Sequence, residues 1–112
     1  MKHTVSMKEN HLFRRLYAKG KTAATGTVAV YVRHNGQRRN RLGLTVSTKI
    51  GKAVVRNKVR RRLREAYRIH ETGMAQGWDL VVVARAKSPF VPYGQLERDL
   101  LRLLQKLGVY AP

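Results

Sequence analysis

The stretch from Lys49 to Arg68 has two faces that make opposite demands on a fold. Wound at 3.6 residues per turn, Val55, Val59, Leu63, Ala66 and His70 share one side, while Asn57, Arg60, Arg61, Arg64 and Arg68 lie opposite. The segment holds nine of the chain's 24 basic residues, namely Lys49, Lys52, Arg56, Lys58, Arg60, Arg61, Arg62, Arg64 and Arg68, against a single acid, Glu65. One side must pack in a core and the other must face an anion. Solvated helix faces normally interleave both signs in i to i+4 pairs, which this one lacks. Arginine's planar fork grips a phosphate with two parallel hydrogen bonds and stays charged at any working pH. A row of such forks is suited to a phosphate backbone.

The rest of the chain agrees. A net charge of +18 over 112 residues, with a pI near 11.5, imposes a self-repulsion that a polyanion relieves. The length suits one domain with a modest core. Nucleic acid is the expected partner rather than a membrane, since no apolar run approaches the roughly 18 residues of a spanning helix and no apolar signal region follows the charged N-terminus. The absence of cysteine removes disulfides, thiol nucleophiles and cysteine-based zinc sites, and points to a reduced, cytoplasmic setting. His3, His11, His34 and His70 are scattered without metal-ligand spacing, so no metal is expected on the protein alone. His70 is read as core edge or helix end.

Along the chain, Ser6 and Glu9 match a capping box, and Leu12, Phe13, Leu16 and Tyr17 recur at helical spacing before Gly20, predicting a helix over about Met7 to Lys19. Thr27 to Arg33 and Arg41 to Ser47 read as strands around the turn signal Asn35, Gly36, and so as a hairpin. A short extra strand is expected near Thr45 to Ile50. Leu80 to Val83 form a continuous apolar run that suits a buried central strand. Pro89 and Pro92 interrupt the chain before a closing helix carrying Leu96, Leu100, Leu103, Leu104 and Leu107, stopped at Gly108. The order predicts an α/β (α+β) two-layer sandwich, three main helices on a mixed four-stranded sheet.

A protein-only nuclease needs clustered carboxylates for Mg²⁺, paired histidines or an activated nucleophile. The six acids, Glu9, Glu65, Glu71, Asp79, Glu97 and Asp99, show no such cluster. Asp79, at the start of a strand, is read as capping or hydrogen-bonding to a turn. Binding chemistry is better supplied. Phe13 and Tyr17 are one helical turn apart and Tyr31 lies on a strand, so the three rings can line one groove that stacks single-stranded bases. Packing in the core is the competing role, and for Phe13 the two stand even. Trp78 is read as a packing residue.

The run Gly51, Lys52, Ala53, Val54, then Arg56, Asn57, Lys58, Val59, Arg60, Arg61, Arg62, Leu63, Arg64, Glu65 closely resembles the signature of the bacterial ribonuclease P protein subunit. The likeness extends to Phe13, Arg14, Tyr17, Gly20 and Lys21, to Arg41 through Ser47, and to Asp79 through Arg85. Two departures are Thr48, where many relatives carry lysine, and Arg60, where lysine is frequent.

The resemblance implies a fold of the ribosomal protein S5 domain 2-like type, with the signature helix in a left-handed βαβ crossover against the general right-handed rule. It implies a subunit that joins ribonuclease P RNA to remove the 5′ leader from precursor tRNA, the RNA performing the hydrolysis with Mg²⁺ that it mainly holds itself. By matching positions, Lys49, Lys52, Arg56, Asn57, Lys58, Arg60, Arg61, Arg62, Arg64 and Arg68 would meet the catalytic RNA. Phe13, Arg14, Tyr17 and Tyr31 would meet the leader. The alternative is a ribosomal or ribosome-assembly protein that binds RNA structurally and requires neither the signature nor the aromatic cleft, while a DNA-compacting protein should bind duplex DNA without preference for structured RNA.

Overall fold

A computed structural model describes residue 1 and residues 3–112. Among the described residues five strands and three α-helices follow one another as β1 (Thr4–Ser6), α1 (Asn10–Lys19), β2 (Lys21–Ala24), β3 (Val28–His34), β4 (Asn40–Thr45), α2 (Ala53–Ile69), β5 (Trp78–Ala84) and α3 (Tyr93–Lys106). They form one mixed sheet in the order β1-β4-β5-β3-β2.

The apolar run of β5 sets this order. Leu80, Val81 and Val82 are all fully buried, so both faces of the strand need cover. It therefore sits at the centre, parallel to β4 and antiparallel to β3. The expected hairpin is corrected by this insertion: β3 and β4 flank β5 instead of pairing with each other. The turn between them is real, with Gly36 at φ +70°.

Two further expectations change. The region after β4 is a 3₁₀ turn, Thr48–Ile50, rather than an extra strand. The short edge strands β1 and β2 bring the count to five. Ser6 ends β1 instead of capping α1, whose N-cap is Glu9 with no side-chain cap bond, so the predicted capping box does not form. Gly20 does end α1, in extended backbone at φ −74°. Glycine is needed there because a Cβ would lie 2.6 Å from the Leu16 carbonyl and 3.1 Å from that of Val32.

Alternation along the strands divides the apolar residues between two faces. Val28, Val30, Val32, Leu42, Leu80 and Val82 face α2 and α3, where they meet Val59, Leu63, Tyr67, Leu96, Leu100 and Leu104. Val81 faces the other way, into a smaller cluster with Met7, Leu12 and Leu16. Thus α2 and α3 form the main second layer and α1 crosses the opposite face. The closing helix stops as expected, with Gly108 at φ +78° and the Val109 N–H bonded to the Leu104 carbonyl at 3.0 Å.

The hand of the β4–α2–β5 crossover follows from Leu42. Its side chain packs on the α2 side, and its carbonyl accepts the Met7 N–H at 2.9 Å, toward β1. For an L-residue viewed from its side-chain side with the strand running upward, the N–H and C=O point right. Hence β1 lies to the right of β4 and β5 to the left. A connection passing in front through α2 is then left-handed, contrary to the usual preference.

Candidate nucleic-acid interface

Leu12 and Leu16 anchor α1 on the sheet, which places Phe13 and Tyr17, one turn apart, along one flank of the helix. Phe13 is half-buried and lies over Gly43, where a Cβ would come within 2.6 Å of its ring. Tyr17 is 43% exposed. Its ring meets Tyr31 edge-on at 5.0 Å and 87°, and its hydroxyl lies 3.0 Å from the Thr45 hydroxyl. The three aromatic residues expected to share a groove are thus brought together on one side of the sheet. Of the two roles its sequence left open, Phe13 fills the packing one, over Gly43 and against the cluster beneath α1. Arg14 is exposed beside them. Gly43 and Thr45 were not singled out as site residues, although their alternation with Leu42 and Leu44 carried the signal.

On α2 the two-faced reading holds. Val59, Leu63 and Ala66 are buried, joined by Tyr67, whose burial the stripe did not predict. Asn57, Lys58, Arg61, Arg64 and Arg68 are exposed, with Lys49 on the preceding turn and Lys52 at the N-cap. Three arginines are half-buried and tethered. Arg56 Nε donates to the Gly51 carbonyl at 3.1 Å, Arg60 Nη1 to Asn57 Oδ1 at 3.1 Å, and Arg62 Nη1 to the Val91 carbonyl at 3.4 Å. These bonds hold the guanidinium groups in place while leaving other donors of each fork available. Arg68 differs, since it forks the Glu65 carboxylate at 2.9 and 2.5 Å. That hydrogen bonding holds the Glu65 carboxyl below its ordinary value and raises Arg68.

A cleft of about 400 Å³ lies at the β1 edge of the sheet, lined by Thr4, Val5, Ser6, Met7, Leu42 and Leu44 and, from α2, by Arg60 and Arg64.

The acids are dispersed and engaged. Asp79, buried at the start of β5, takes a fork from Arg41 at 2.6 and 2.8 Å and a bond from Asn35 Nδ2 at 3.1 Å. This agrees with its expected bond to a turn. Glu97 meets His70 at 2.9 Å, Asp99 accepts from Thr27 at 2.6 Å, and Glu71 accepts from the His3 N–H at 3.3 Å. His70 is the C-cap of α2, as its end-of-helix reading expected, and Trp78 packs on the core and stacks on His34 at 3.7 Å. Among the described residues no three acid or histidine side chains converge in a way that could hold a metal.

A basic α+β fold with a one-signed helix on one face of its sheet and a cluster of aromatic side chains on the other defines the class of RNA-binding proteins to which this chain is similar. The chain belongs to the ribonuclease P family, whose model matches residues 1–108. It is similar to the ribonuclease P protein component of Natranaerobius thermophilus, 38% identical over 106 residues that cover 95% of this chain and 92% of that one. That of Clostridium botulinum is 43% identical over 110 residues, covering 93% and 99%. Among solved structures, the Staphylococcus aureus RNase P protein superposes with a TM-score of 0.87 at 33% identity, covering 95% of this chain and 97% of that one. The Thermotoga maritima RNase P protein gives 0.83 at 31% identity, covering 90% and 96%.

Proposed function

We propose that this chain is the protein subunit of bacterial ribonuclease P, a single RNA-binding domain that joins the catalytic RNA and assists endonucleolytic removal of the 5′ leader from precursor tRNA. The observation that carries this reading is the one-signed α2 on one face of the sheet, with an aromatic cluster under α1 on the other, in a chain of this family. Lys49, Lys52, Arg56, Asn57, Lys58, Arg60, Arg61, Arg62 and Arg64 face the catalytic RNA, where their cations replace condensed counterions. Arg68 joins them after exchanging Glu65 for phosphate. Phe13, Tyr17 and Tyr31 take unpaired leader bases by stacking, with Arg14 on the adjoining phosphates.

The chain's own carboxylates do not fit a Mg²⁺ site, because each is held apart in its own bond. Hydrolysis and its Mg²⁺ are assigned to the RNA. The protein's contribution is affinity: it grips a segment that precursor has and mature tRNA lacks, so substrate is held in preference to product. No helix among the described residues is long and apolar enough to cross a membrane. We place the protein in the cytoplasm, where its RNA partners are made.

The test is cleavage of 5′-labelled precursor tRNA at low Mg²⁺ by the protein alone, a bacterial ribonuclease P RNA alone, and the two mixed. Correct 5′ processing confined to the mixture is expected. An RNA that gains nothing from the protein would favour the ribosomal alternative.

A further inference from the structure

Phe90 and Val54 take no part in the surfaces above, yet among the described residues they are the most exposed large apolar side chains, at 84% and 81%. They flank a groove of about 380 Å³ floored by Ile50 and Val59. Its polar lining is cationic, Lys58 and Arg62, and no carboxylate lines it. An apolar slot rimmed only by positive charge selects an occupant that is flat and apolar in its middle and anionic at its ends.

The aromatic wall is also held in place. Phe90 closes the 3₁₀ turn Ser88–Phe90, between Pro89 and Pro92, with its N–H bonded to the Lys87 carbonyl at 3.1 Å. Arg62 ties the next residue to α2 through the Val91 carbonyl at 3.4 Å. A ring presented to solvent on so constrained a backbone loses little freedom when something stacks on it. A second copy of this chain is a poor occupant, because it carries the same +18 charge.

We infer that this groove receives one unpaired nucleobase of the ribonuclease P RNA, stacked on Phe90 against Val54, with the adjoining phosphates on Lys58 and Arg62. The inference rests on the reading that the chain binds that RNA, and adds a base-stacking contact to a helix that otherwise meets backbone.

The experiment measures Kd for a bacterial ribonuclease P RNA transcript, without tRNA, over a salt series, using wild type, Phe90→Leu, Phe90→Trp and Val54→Ser. Phe90→Leu keeps apolar volume but loses the π face. It should weaken binding about tenfold, equivalent to about 1.4 kcal/mol, while Phe90→Trp binds as wild type. The slope of log K against log salt should stay the same in both, since no cation is removed. Val54→Ser, on the opposite wall, should weaken binding severalfold and guards against a folding effect at Phe90. Wild-type affinity in Phe90→Leu and Val54→Ser overturns the inference, and would leave an acidic apolar peptide as the occupant. Equal weakening in Phe90→Trp and Phe90→Leu also overturns it. If wild type binds and stimulates the RNA while these variants do so equally, only the base pocket fails. If wild type does not bind the RNA, the pocket and the ribonuclease P reading fail together.

Discussion

At the scale of single residues, the aromatic cleft depends on a contact that only glycine permits. Phe13 occupies the space a Cβ at Gly43 would fill. Gly43→Ala is expected to destabilise the fold by about 1–3 kcal/mol, seen as a lower urea midpoint, because the ring or the strand must shift. Phe13→Ala and Tyr17→Ala remove stacking surface worth roughly 1–3 kcal/mol per base. Holoenzymes carrying them should bind precursor tRNA about 5- to 150-fold more weakly and mature tRNA unchanged; equal losses for both ligands would contradict a leader cleft. Tyr67 illustrates a different residue-level effect. Its hydroxyl lies 2.8 Å from that of Thr4 and accepts from Asn40 Nδ2 at 3.3 Å, but burial is the dominant influence and raises its pKa above the ordinary 10.0. The unfolded phenol therefore ionises first as pH rises. Stability from this group is full below about pH 10 and is lost as pH climbs through the raised folded value. Tyr93, also raised by burial, acts in the same direction. Tyr67→Phe should cost about 1 kcal/mol at neutral pH and shrink the alkaline fall in denaturation midpoint.

At the scale of elements, α2 serves two unrelated ends with its two sides, and substitutions should separate them. Leu63 is fully buried between the sheet and α3. Leu63→Ala should cost about 2–5 kcal/mol of stability. Arg61 is exposed, so Arg61→Ala should leave stability within about 0.5 kcal/mol. It should instead weaken RNA binding and reduce the salt-dependence slope by about one. A shared loss in both assays would mean that the polar face also supports the fold. Helical periodicity revealed this division because both faces repeat within one continuous segment. Strand pairing was less legible. Asn35 and Gly36 specify a turn, but a turn does not say whether its flanking strands pair directly or admit a third. Here the third strand arrives about forty residues later, and its two-sided burial decides the matter.

At the scale of the whole molecule, a charge of +18 must be tolerated by a modest core, so folding and anion binding are linked. Sulfate, phosphate or short RNA should raise the melting temperature in proportion to the logarithm of concentration, as ligands that bind only the folded state do. A melting temperature indifferent to polyanion would contradict that linkage. The sequence alone determined the features carried by local periodicity and composition: the two-faced arginine helix, the buried apolar strand, the closing leucine helix and the polyanionic partner. It also located Phe13, Tyr17 and Tyr31 by spacing, since alternation on a helix and on a strand is fixed by backbone geometry. Only the tertiary structure decided what requires distant segments to meet. Insertion of β5 between β3 and β4, the edge strands β1 and β2, and the Arg41–Asp79 fork all depend on non-local pairing. So does the placing of Phe13 on Gly43. The left-handed crossover had reached the sequence reading through family resemblance alone, because the side of a strand on which a later strand docks leaves no trace in the periodicity of either.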